Sequence, residues 1–155
     1  MASVYDIMLK FHPDTLVDLF LKQYMHDYGE KKVKEIVITV KQSEKVQDHI
    51  RYLLLNEHAP TDMSIGSVLN TMSYFLFSKP ETLCLGGLIF IITWKEVLVD
   101  TYEDVFEEAF EEQSNKIANR ICADYIARCS RMKFTKIDTC FTRFFDTIKD
   151  INQNS

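Results

Sequence analysis

The uncharged apolar run from Leu83 to Ile92, Leu-Cys-Leu-Gly-Gly-Leu-Ile-Phe-Ile-Ile, restricts the fold more than any other segment. It continues through Trp94, Val97 and Leu98. A helix apolar on all sides is stable only when other elements surround it. The run is about half the length that a bilayer span requires, which favours a buried core helix over a membrane segment. Leu88 to Thr93 is also β-prone, so a buried strand is the rival reading. No partner strand is in sight, and the apolar pattern runs on past strand length, so helix is the expectation.

The chain can supply the surrounding helices. Its 155 residues, 46% apolar and 26% charged, fit a single domain over 1–155. At that size folding removes roughly 70% of the unfolded surface from water. Asp14, after Pro13, is placed to cap a helix whose Leu16, Val17, Phe20, Leu21, Tyr24 and Tyr28 fall at helical spacing, with Gly29 as its stop. Glu35 to Val40 is β-branched, lacks a partner strand and reads as an extended or irregular connection. Ser43 caps a helix carrying Val46, Ile50, Leu53 and Leu54 on one face, which Ala59-Pro60 ends. A further helix, capped by Asp62 or Ser64, turns Ile65, Val68, Leu69, Met72 and Phe75 inward and stops at Pro80. After the apolar run, a helix near Asp104 to Arg131 buries Phe106, Phe110, Ile117, Ile121 and Tyr125, with an acidic outer face. The last helix carries Phe134, Ile137, Phe141, Phe144, Phe145 and Ile148. The expected fold class is all-α.

Several functions are disfavoured. A net charge of −5 and a pI near 5.4 argue against a nucleic-acid partner, because binding a phosphate backbone needs a basic patch. Lys31, Lys32 and Lys34 form the densest basic stretch and read as a solvated loop. Cys84, Cys122, Cys129 and Cys140 include no Cys-x-x-Cys pair and no histidine at ligand spacing, which reads as reduced core thiols and no metal. No nucleophile and base, phosphate loop or ligand constellation is recognisable, so no enzyme and no cofactor is expected. No signal peptide or membrane anchor is evident, and the expected location is the cytoplasm.

Gly86-Gly87 calls for a reason, since a glycine inside a helix costs about 1 kcal/mol relative to alanine. Either the pair lets a neighbouring helix come close, or it floors a groove where a partner's backbone approaches.

The helix order and several motifs resemble the Bcl-2 family of apoptosis regulators, in particular its short viral pro-survival members without a membrane tail. Asp14-Thr15-Leu16-Val17-Asp18-Leu19-Phe20-Leu21, followed by Tyr24 and Gly29, is similar to the family's first helix, and Ser64-Ile65 with Val68, Leu69 and Asn70 resembles its fourth. Cys84-Leu85-Gly86-Gly87-Leu88-Ile89-Phe90 occupies the place of the Asn-Trp-Gly-Arg motif, of which the glycine remains. Phe134…Asp138-Thr139-Cys140-Phe141…Phe144 looks like the second motif with its glycines replaced. The resemblance implies a Bcl-2-like bundle around a central helix. It also implies an anti-apoptotic role, in which a groove sequesters the amphipathic BH3 helix of pro-apoptotic host proteins in the host cytosol or, through partners, at mitochondria. By position, Tyr52, Leu53, Val68, Leu69 and Met72 line that groove, Gly86, Gly87, Leu88 and Ile91 floor it, and Phe141 closes one end. Each of the apolar residues is equally readable as plain core. Gly87 stands where the family has an arginine that pairs with the ligand's aspartate, which implies a narrow ligand range. Lys79, Lys95 or Arg51 could substitute from the rim. Two alternatives remain: a Bcl-2-like bundle that blocks innate immune signalling through another surface, or a helical homodimer or assembly protein in which Phe144 and Phe145 provide contact area.

Overall fold

A computed structural model describes residues 3–56, 66, 68, 80–102, 104, 109–131 and 138–154. Seven helices of five or more residues appear there, and no strand occurs among the described residues. They are α1 (Val4–Met8), α2 (Pro13–Tyr28), α3 (Glu30–Gln42), α4 (Glu44–Asn56), α5 (Pro80–Tyr102), α6 (Ala109–Arg131) and α7 (Asp138–Gln153). The all-helical expectation holds.

Local chemistry explains most of the boundaries. The Asp14 cap is corrected: His12 is the N-cap, its Nδ1 accepting from the Asp14 backbone N–H at 3.2 Å, and Pro13 opens the helix. A proline suits that position because its missing N–H would have no intrahelical partner there. Gly29 ends α2 as expected, with φ 89°. That backbone strains any residue with a Cβ. Ser43 caps α4, its Oγ accepting from the Val46 N–H at 3.3 Å.

The extended reading of Glu35 to Val40 is wrong, because α3 runs through it. Val33, Ile36 and Val40 lie on one helical face and are buried against neighbouring helices, α3 packing on α2 and α5. Burial of that stripe overrides the β-propensity of its residues. Lys31, Lys32 and Lys34 consequently lie on a helix, with Lys34 bridging Glu30 one turn back at 2.8 Å, and are solvated without being a loop. Short α1 was not anticipated. It is capped by Ser3, and Asn119 of α6 donates to the carbonyls of Met8, Leu9 and Phe11 beyond its end.

In α5 every residue from Cys84 to Lys95 is buried, more than three turns and hence the whole circumference. The helix packs against α2, α3, α4 and α6. Thr82–Tyr102 is long and apolar enough to cross a membrane by length and composition, so the sequence estimate from the unbroken run alone was too short. Of that apolar window, 72% is covered by the rest of the fold.

Helices α5 and α6 pack antiparallel. Tyr102 meets Phe110 at a centroid distance of 6.3 Å at one end, and at the other the Tyr125 hydroxyl donates to the Leu83 carbonyl at 2.6 Å. The second helix was expected to start near Asp104; Asp104 itself lies in a turn, and the described part of the helix runs from Ala109. Helix α7 docks on α2 through Phe20, which meets Phe141 at 5.4 Å and Phe144 at 5.2 Å. The Gln23–Thr147 hydrogen bond and the Arg143–Asp27 ion pair edge that contact. Phe144 is fully buried and Phe145 packs against the core, so Phe144 cannot be the exposed contact area of an assembly face.

Candidate functional site

The described residues that the sequence assigns to a groove fall on α4, at Val68, on α5 and on α7. On α4, apolar residues at helical spacing divide into two faces. Val46, Ile50, Leu53 and Leu54 are buried, while Tyr52 is 59% and Leu55 82% exposed. His49 links α4 to α5, its ring near Tyr52 (6.0 Å) and near Phe90 (6.4 Å). Burial holds the His49 imidazole below its ordinary pKa, since desolvation penalises the charged form.

On α5, Leu88 and Ile91 are core residues, 1% and 0% exposed, and Gly86 is buried. Gly87 has a specific packing reason. A Cβ there would lie 2.6 Å from Cε1 of Tyr125 and closer still to Cζ and Oη. The glycine therefore lets the Tyr125 ring of α6 rest on the α5 backbone and reach the Leu83 carbonyl. That contact accounts for Gly87 without a ligand. Val68 is also buried. Phe141 is 4% exposed and sits in the aromatic contact between α2 and α7. Leu69 and Met72 lie outside the described residues. Leu53 thus belongs to the buried side of α4, while Tyr52 and the unanticipated Leu55 reach the surface.

Two of the three cations that the sequence offered as substitutes for the missing arginine are engaged elsewhere. Lys95 is not on a rim: it is 6% exposed and ion-paired with Asp14 of α2 at 2.9 Å. A buried ammonium needs such a partner, and the position of Lys95 one turn after Ile91 and two after Leu88 was the signal that it faces inward. Arg51 is exposed and bridges Asp48 at 3.0 Å. Lys79 lies outside the described residues.

All four thiols are free and buried, Cys84 and Cys122 where the sequence placed them in the core. Burial and a hydrogen bond to Cys129 raise the Cys84 pKa, and burial pushes Cys140 up to about 12, so both are neutral at physiological pH. Clefts lined by described residues of other helices are also present. One lies between the α1–α2 turn and α6, beside Phe11 and Asn119, and another lies between α2, α3 and α5, over Val17, Leu21 and Ile92. No group of three or more potential metal ligands occurs among the described residues. No family model, curated protein or solved structure matches this chain.

Proposed function

We propose that this chain is a pro-survival protein of the Bcl-2 type, which sequesters an amphipathic pro-apoptotic helix along the outer face of α4 beside the glycine-containing half of α5. The observation that carries the reading is the apolar strip on α4. Tyr52 and Leu55 are one turn apart and exposed, on a helix whose other apolar side packs on α5. Solvent-facing tyrosine and leucine next to a buried face suit the anchors of a ligand helix at i, i+3, i+4 and i+7.

The ligand range is narrow on this reading. Gly87, in the place of the family's arginine, is covered by Tyr125 and offers a ligand aspartate no cation, while Lys95 is held by Asp14 and Arg51 by Asp48. The missing charge-assisted hydrogen bond is worth roughly 1.5–3 kcal/mol.

Titration calorimetry of the full chain against a panel of pro-apoptotic helix peptides tests both parts. Few peptides should bind. The surface variant Tyr52→Glu/Leu55→Glu, with its circular dichroism unchanged, should bind them at least ~10-fold more weakly, since an interface anchor contributes about 2 kcal/mol. No binding by any peptide, or equal binding by the variant, refutes the α4 site. Tight binding of most of the panel refutes the narrow range.

A further inference from the structure

Three of the four thiols gather at one end of the bundle. Cys84 is in the second turn of α5, Cys129 in the last turn of α6 and Cys140 in the first turn of α7, all at most 1% exposed. The register of α5 against α6 pairs the first two. Tyr125 lies on Gly87 and bonds to Leu83. One turn back from Gly87 is Cys84, and one turn on from Tyr125 is Cys129. Because the helices are antiparallel, both steps run the same way and bring the two thiols together, Cys129 being the strongest influence on the Cys84 thiol. Cys122, two turns before Cys129, senses the Lys95–Asp14 pair instead and belongs to a different part of the core.

We infer that Cys84 and Cys129 are a latent disulfide, a redox latch that oxidation closes between the ends of α5 and α6. The inference is independent of the α4 binding site. The pair is inert in the closed fold, because both thiols are buried, Cys84 is held protonated and the thiolate is the nucleophile. Both lie near helix ends, which open locally at far less cost than helix middles. Opening admits a small peroxide. The thiolate of one cysteine attacks a peroxide oxygen and breaks the O–O bond, giving a sulfenic acid and, with the thiol's proton, one water. The second thiol attacks the sulfenic sulfur, forms the S–S bond and releases the second water. Two thiols lose two electrons and two protons in all, and hydrogen peroxide is reduced to two waters.

The test treats the reduced full-length protein with hydrogen peroxide, alkylates it in denaturant and maps its peptides. The expected result is a fall from four alkylated cysteines to two, a Cys84–Cys129 linked peptide, reversal by dithiothreitol, and slower amide exchange at Leu83–Gly87. Cys122→Ala should keep the link and Cys129→Ser should lose it, while the wild-type peptide map decides the pairing even if Cys129→Ser folds poorly. Four alkylated thiols after oxidation, a link through Cys140, or irreversible acids on single cysteines would overturn the pairing. A link that leaves exchange at Leu83–Gly87 unchanged would overturn the latch.

Discussion

Replacing Gly87 by alanine should destabilise the protein, although the same change in an open helix interior stabilises by about 1 kcal/mol. The new Cβ would stand 2.6 Å from Cε1 of Tyr125 and nearer to its Cζ and Oη. That side chain is 0% exposed and cannot swing to solvent. Moving the ring breaks its 2.6 Å hydrogen bond to the Leu83 carbonyl. Overpacking a filled core costs about 1–3 kcal/mol, and leaving a buried polar group unpaired costs a further ~1–3 kcal/mol. Against the propensity gain, the net loss is about 3 kcal/mol, or roughly 6–12 °C in Tm for a chain of this size. Thermal and denaturant unfolding, read by circular dichroism, measure it. A double-mutant cycle isolates the cause: in a Tyr125→Leu background, Gly87→Ala should lose its penalty. A neutral or stabilising Gly87→Ala in the wild-type background would refute the claim that Tyr125 is the reason for the glycine.

Three further outcomes follow from buried polar contacts. Asp14→Ala should cost about 1–3 kcal/mol in denaturant unfolding by leaving the Lys95 ammonium unpaired, a range reduced because Asp14 is 48% exposed, whereas Lys95→Met should be close to neutral. His49, whose pKa burial lowers, binds its proton more readily unfolded than folded, so its stabilisation is present above the unfolded value near 6.5 and is lost as pH falls below it. His49→Gln should therefore flatten the stability–pH curve between about pH 6.5 and 5, and an unchanged slope would remove His49 as the cause. Asn119→Ala, which frees three carbonyls around the end of α1, should lower stability by more than Tyr5→Phe, which removes only the 2.5 Å bond to Asp124, and hydrogen exchange should rise in α1 in both variants.

Much of the helical layout was legible in the residues alone. The apolar spacing of α2, its glycine stop, the Ser43 cap and the charge-free stretch of α5 are local signals, and each marks an element that formed. Local signals misled where tertiary packing outweighed them. The β-branched stretch of α3 became helix because α2 and α5 bury Val33, Ile36 and Val40, and five-residue α1 forms against the Asn119 and Asp124 side chains of α6. The candidate site was legible only in part. Sequence spacing identified the buried face of α4, Val46, Ile50, Leu53 and Leu54, but missed the exposed Leu55, and it assigned Lys95 to a rim.

The sequence by itself determined that this chain is helical and that one helix is hidden from water, because periodicity and apolar content act within a few turns. Only the tertiary structure decided which partners those helices find. That Gly87 receives Tyr125, that Lys95 finds Asp14 and that Cys84 faces Cys129 depends on residues 38, 81 and 45 positions apart. Such pairings are chosen by helix register and burial, and no local pattern encodes them.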